Sequence, residues 1–325
     1  MLLHLHALLL ALRSNNDRIT EQWRGLFDFD LAQSFSGLSD VEPDIALEAE
    51  LVSSLPPAPA FPSFYLTIDP PLAVYATGVH RMLLRLSNKA QIQLTLSDSE
   101  TLNARILVTN RAINDGSFED ITTFALAPLL RRHGLFMIHA FTAVYNKKAV
   151  MFVGPSGSGK TSCGMALTAA GWQLLANDVA LMRREDTSLV LLSPGTVHVS
   201  PATFSLLPSY GHLFDKYSQN LSNMKVSVPR LEFLQDEPVQ LSAPIKAVYF
   251  PSIGDKKNHE IEAVPRAVGL ARLMESSMDQ WDQETWEDHI RFLEHLSYNV
   301  VFYSLHLGRD MSSLPAFLEQ DLFGN

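Results

Sequence analysis

Gly154-Pro-Ser-Gly-Ser-Gly-Lys160-Thr161 fits the pattern G-x-x-x-x-G-K-[ST], the phosphate-binding loop of nucleotide enzymes. The pattern constrains the fold because such a loop works only between a strand and a helix. Both flanks agree with that. Ala149–Val153 is an unbroken apolar run and reads as a buried strand. Ser162–Ala170 reads as a helix of small residues stopped by Gly171. Glycines let successive backbone N–H groups turn inward around phosphate oxygens, and the positive helix end adds to that field. Gly154, Pro155, Ser156, Gly157, Ser158, Gly159, Lys160, Thr161 and Ser162 are therefore the expected nucleotide-binding residues. Lys160 is expected at the β and γ phosphates of ATP, and the Thr161 hydroxyl on Mg²⁺. The plain alternative is a Gly/Ser turn with one exposed lysine.

A chain of 325 residues can bury a sizeable core, and two domains are expected. With 46% hydrophobic and 18% charged residues the composition is globular. The net charge of −10 and a pI of about 5.5 argue against a general nucleic-acid binder or a protein held on anionic lipid. The single cysteine, Cys163, excludes an internal disulfide framework and a multi-cysteine metal site. Just inside the loop helix, it reads as a small packing residue rather than a reactive thiol. The apolar start, Met1–Leu12, has no basic segment ahead of it and no A-x-A-like site after it, and it is too short to span a bilayer. It reads as a first strand, and a cytoplasmic protein is expected.

Ser14 is expected to cap a short helix whose Ile19, Trp23, Leu26 and Phe27 share one face. Residues 28–50 are acidic and weakly patterned, and Leu55–Pro62 is a proline-rich linker or extended crossing. Strands are expected at 64–68, 72–75, 81–86, 91–96 and 104–108, and a helix at 118–127 that Pro128 to Arg132 continue or restart. A domain boundary near 126 follows. Residues 1–125 would be a smaller β-rich α+β module, accessory or holding substrate or a partner, and residues 126–325 an α/β P-loop domain. In the latter, 190–192, 196–199, 247–250 and 298–303 read as strands, and 270–275 and 281–296 as helices. Ser312 is expected to cap a last helix, and 205–228, rich in turn signals, to be a mobile segment over the site.

Trp172–Ala176 reads as a strand parallel to the one before the loop, so its carboxyl end returns to the same sheet edge. That delivers Asp178, eighteen positions after Lys160, beside the phosphates. A carboxylate there binds Mg²⁺ or takes a proton from an attacking hydroxyl. The alternative is a turn aspartate.

The block from His133 to Met182 resembles the C-terminal kinase domain of HPr kinase/phosphorylase and its HPr-kinase-like relatives. His139-Ala140 stands where that family has His-Gly, Gly154–Thr161 matches its loop, and Leu174–Leu181 resembles the segment holding its aspartate pair. The match covers some fifty residues. It implies a P-loop kinase domain with a mixed central sheet and flanking helices, and a kinase acting on a serine hydroxyl with ATP and Mg²⁺. Asp178 would be the base, His139 would lie at the phosphate site, and assembly would be homo-oligomeric. Three departures stand out: Asn177 replaces the first aspartate, Ala140 replaces glycine, and no Glu-Ile-Arg-Gly follows Asp178. Phosphorylase activity and HPr as substrate are therefore not carried over. The acceptor would be a serine of a protein or peptide, or a small hydroxyl compound.

Lys225, Arg230 and Arg309 are candidates for a further cation, each with the alternative of a solvated surface charge. His212, His259 and His295 read as structural or solvated. A second reading is a nucleotide-binding regulatory or scaffold protein whose 1–125 module engages a partner. A carboxykinase plan lacks a placeable metal-binding histidine, lysine and aspartate set.

Overall fold

The computed structural model describes residues 1–27, 42–67, 71–78, 80–97, 101–184, 186, 189–191, 193, 195–219, 221–222, 225–233, 240–254, 256–277 and 280–323. Residues 28–41, Ile68 and Leu192, for which expectations were stated, lie outside the described residues. The chain is a mixed α/β protein of two compact units. Unit 1 is Met1–His133 with the returning segment Trp281–Gln283, and unit 2 is Gly134–Gln280 with Glu284–Asn325. The expected boundary at 126 falls inside a helix, and the units divide just after that helix ends.

In unit 1 the strands are β1 (Leu2–Leu5), β2 (Leu8–Arg13), β3 (Ile45–Val52), β4 (Phe64–Leu66), β5 (Leu72–Gly78), β6 (Arg81–Leu86), β7 (Ala90–Thr95) and β8 (Leu102–Thr109). They form one sheet in the order β1-β2-β3-β8-β7-β6-β5-β4. Helices α1 (Asp17–Leu26), α2 (Asn110–Asn114) and α3 (Phe118–Arg132) complete the unit. The apolar start is thus not one strand but a hairpin, turned at His6 with φ +57°. Asn16, not Ser14, caps α1, accepting from the N–H groups of Arg18 and Ile19. Ile19, Trp23, Leu26 and Phe27 are all buried, as their spacing implies. β3 was hidden in the acidic stretch: Ile45, Leu47 and Ala49 point inward while Glu48 and Glu50 face water. Pro128 lies within α3 without ending it, and Arg132 donates to the Pro128 carbonyl.

Unit 2 opens with β9 (Leu135–Ile138), β10 (Ala140–Tyr145), β11 (Lys148–Val153), α4 (Lys160–Ala169) and β12 (Gln173–Ala176). Then come β13 (Ala180–Arg183), β14 (Leu189–Leu191), β15 (Val197–Val199), α5 (Pro201–Leu206), α6 (Gly211–Tyr217), β16 (Leu221–Ser222) and β17 (Lys225–Val228). β18 (Ser242–Ile253), β19 (Glu260–Ala263), α7 (Arg266–Glu275), α8 (Trp286–Asn299), β20 (Val301–Leu307) and α9 (Leu314–Phe323) follow. The main sheet has the order β12-β10-β11-β18-β14-β13-β9, and β20 pairs with β18 and β19. It is mixed: β11–β18 and β18–β20 are parallel, while β10 is antiparallel to both β11 and β12. β12 therefore runs in the direction of β11, as expected, but with β10 between them. A two-residue turn at Asn146 and Lys147, both with φ > 0, joins β10 to β11 and matches the strand twist.

Several expectations are corrected. The stretch 205–228 carries α6, β16 and β17, and Leu207, Leu213, Val226 and Val228 are built into the core of unit 2. It is therefore packed structure rather than a loose cover. Trp281 is buried outside any helix, and α8 begins at Trp286. Tyr298 and Asn299 end α8, so the late strand starts at Val301. Asp310, not Ser312, caps the turn before α9, accepting from the Ser312 N–H.

Candidate functional site

β11 brings Ala149–Val153 into the core, all at most 1% exposed, and α4 begins at Lys160. Gly159, the residue before α4, has φ +102°, and a Cβ there would meet Leu307 Cδ1 at 2.7 Å. Gly157 is also left-handed, with φ +83°. Only glycine takes both positions without strain. No side chain caps α4, so its first-turn N–H groups are open to an anion. Ser158 Oγ is buried without a hydrogen-bond partner. Pro155, Ser156 and Gly157 are exposed, and Thr161 is half-buried in the first turn. The Ser162 hydroxyl is 2.9 Å from Thr203 Oγ1 of α5, so that side chain ties helices together.

Lys160 is only 6% exposed. Its ammonium donates to the carbonyls of Gly154 (2.7 Å) and Pro155 (3.1 Å), which folds it over the loop. Burial lowers its pKa; Asp178 pulls it back up and Lys225 pushes it down again. Cys163 is fully buried and burial pushes its thiol far up, which fits packing rather than reactivity.

Asp178 follows β12 in a tight three-residue turn. The Val179 N–H donates to the Asn177 carbonyl at 2.7 Å, and Asp178 has φ +60°. A non-glycine residue held there is strained, and such strain clusters at functional sites. The Asp178 carbonyl accepts from the Ala140 N–H at 3.1 Å, which stitches this turn to the start of β10. His139 occupies the β9–β10 junction, where its N–H donates to the Ser276 carbonyl at 2.8 Å. Burial lowers the His139 pKa, and the charge of Lys160 lowers it further. The Asp178 charge and a backbone hydrogen bond with Asp178 oppose this, and Lys225 again pushes down. His139, Lys160 and Asp178, far apart in sequence, therefore share one electrostatic neighbourhood.

The sequence gives no sign of what Asn177 does. It is 5% exposed, and its amide donates to the Thr196 carbonyl (2.8 Å) and to Asp178 Oδ2 (3.2 Å). An aspartate there would set a second negative charge against Asp178; the amide instead steadies the carboxylate. Asn177 Oδ1 is buried without a partner.

Of the three candidate cations, Arg230 is 2% exposed and donates to the carbonyls of Leu174, Leu175 and Ser193. It braces β12 and is structural. Arg309 is exposed. Lys225 is half-buried and acts on both His139 and Lys160. His259 is buried between the Gly308 N–H and the Asp310 carbonyl, so it is structural.

Thr161, in the first turn of α4, and Asp178 each carry an oxygen of the kind Mg²⁺ takes. Among the described residues no group of three or more His, Cys, Asp or Glu side chains could hold a metal. A kinase-type Mg²⁺ needs only one or two protein oxygens beside phosphate and water, and the Asp178 carboxylate, whose charge reaches Lys160 at the start of α4, fits that demand. A cleft of about 690 Å³ opens in unit 1, but its charged residues pair with each other, Arg13 with Glu48 and Arg105 with Glu50.

No protein-family model matches the chain, and no curated protein matches it. Among solved structures, the HPr(Ser) kinase/phosphatase from Coxiella burnetii is similar at 12% identity, over 57% of this chain and 91% of that one, with a TM-score of 0.29. At that score the likeness decides neither fold nor activity. Among the described residues no helix is long and apolar enough to cross a membrane.

Proposed function

We propose that the protein is an ATP-dependent phosphotransferase that moves the γ-phosphate to a hydroxyl group. The observation that carries this is the convergence at one sheet edge: Ala140 pairs with Val153 at the end of β11 and donates its N–H to the Asp178 carbonyl at 3.1 Å, and the Asp178 charge raises the Lys160 pKa. The loop N–H groups would bind the phosphates, and Lys160 would neutralise charge on the transferred group. Asp178 would accept the proton as the acceptor oxygen bonds to the γ-phosphorus and the bond to the β–γ bridging oxygen breaks, releasing ADP. His139, kept neutral by burial and by Lys160, would donate or accept a hydrogen bond at the phosphate without adding charge. Thr161 and Asp178 would hold Mg²⁺, which when bound offsets the phosphate charge. The order of His139, loop and Asp178 that resembles HPr-kinase-like enzymes favours a serine-type or small-molecule hydroxyl as acceptor.

One observation favours a second reading, a nucleotide-binding regulatory protein: Asn177 leaves one carboxylate at the turn instead of two. Turnover of ATP with Mg²⁺ separates the readings, measured with cell extract and with free serine as acceptors. Acceptor-dependent ADP release that Asp178→Asn abolishes, with nucleotide binding retained, supports the kinase. Binding without acceptor-stimulated turnover, unchanged in Asp178→Asn, supports the regulator.

A further inference from the structure

The last glycine of the loop lies against two apolar side chains. A Cβ on Gly159 would meet Leu307 Cδ1 at 2.7 Å and Ile253 Cγ1 at 3.6 Å. These two residues stand opposite each other in register at the carboxyl ends of β18 and β20. Leu307 is 4% exposed and belongs to the core of unit 2. Ile253 is 71% exposed. The pleat sends its neighbour Ser252 to the other face, where that hydroxyl lies 3.0 Å from His306 Nδ1. The wall that Gly159 meets is therefore apolar, and its outer part is open to water.

An exposed apolar side chain standing singly needs no function. The place of Ile253 sets it apart. β11 and β20 run parallel to β18 on either side of it, so the carboxyl ends of all three reach one edge of the sheet. The loop leaves β11 at that edge. On the side of β11 away from β18, Ala140 pairs with Val153 and donates its N–H to the Asp178 carbonyl at 3.1 Å. Asp178 and Ile253 thus flank the loop from opposite sides of β11. A nucleotide is a linear molecule. With its terminal phosphate toward Asp178, its nucleoside leaves the loop on the β18 side, where Ile253 stands.

We infer that Ile253 is the platform for the nucleobase, covering one flat face of the ring by apolar contact. This rests on the nucleotide reading above, and it names a residue that lies outside the loop motif. The contact hides apolar surface of both partners from water, which favours binding in proportion to the area covered. The test is binding of ADP with Mg²⁺ to the full chain, as wild type, Ile253→Ser and Ile253→Phe, with a urea unfolding curve for each. Ile253→Ser is expected to weaken ADP about fivefold. Ile253→Phe offers a flat ring on which a base stacks, so it is expected to bind ADP at least as tightly as the wild type. Both variants should unfold at the wild-type midpoint, because the side chain is mostly in water. Unchanged affinity in Ile253→Ser, or equal weakening in both variants, overturns the inference and leaves the nucleotide reading standing. A lowered unfolding midpoint in Ile253→Ser also overturns it and assigns Ile253 to packing. A wild type that does not bind ADP removes the nucleotide reading, and this inference with it.

Discussion

Across β2, β3 and β8 of unit 1, Arg13, Glu48 and Arg105 stand opposite one another in register. The Arg13–Glu48 pair is closed at 3.1 Å with both side chains more than half exposed. Around the glycine loop of unit 2 the charges are arranged differently. Lys225 lowers the pKa of Lys160 as a like charge, beside a His139 held toward its neutral form and a strained Asp178. A surface that only has to stay soluble alternates its signs and pays little for it. A partly buried site that sets a lysine beside one carboxylate and a neutral histidine leaves room for a ligand that brings negative charge.

The sharpest way to break this contrast is at Asp178. If its carboxylate takes the proton, Asp178→Asn lowers turnover by about 10²–10⁴-fold while nucleotide affinity holds; a steady-state assay with a binding titration reads both. Next in size is a buried pair of unit 1, Arg132 with Asp282 at 2.7 Å, with side chains 7% and 1% exposed. Arg132→Met removes the guanidinium that faces the buried Asp282 carboxylate and should cost about 3–5 kcal/mol in urea unfolding, which would show that unit 1 depends on this pair more than on its surface charges. A smaller loss is expected at Gly164, where an added Cβ would fall 1.9 Å from the Phe141 ring. Gly164→Ala should cost about 1–3 kcal/mol, because α4 must lift off β10, and nucleotide affinity should fall with it.

Acidification tests the neutral His139. Its folded pKa is held below the ordinary value of 6.5. The unfolded chain then binds more protons than the folded one just below 6.5, so stability is full above that pH and declines as pH falls through it. Melting curves should show the wild type losing more on acidification than His139→Gln; parallel curves would mean that His139 is no more buried in effect than a surface histidine. The smallest effect belongs to the exposed ladder. Arg13→Ala should change stability by less than about 1 kcal/mol, and even less at high salt. A larger loss would mean the surface pairs matter more than the contrast allows.

Much of the site could be read along the chain because the phosphate loop is local. Strand, glycine loop and helix are contiguous from Ala149 to Ala170, and each is specified by its own residues. α1 and its buried face were legible for the same reason. β3 was not, because two outward glutamates masked an inward apolar alternation that matters only once β2 and β8 pair on either side. Ser14 and Ser312 gave way to Asn16 and Asp310 as caps, since several neighbouring residues offer an oxygen and backbone geometry chooses among them. The stretch 205–228 carries turn residues, yet its apolar side chains find the core of unit 2.

The sequence by itself determined the loop, its strand and its helix, and that an aspartate follows at a short spacing. Those features depend on residues close enough along the chain to shape one another. Only the tertiary structure decided that β10 lies between β11 and β12, that Arg230 is a buried brace, and that the Asn177 amide donates to Asp178. Each of these depends on which distant strands meet and which face of a strand turns inward, and that is settled by pairing and burial across the whole sheet.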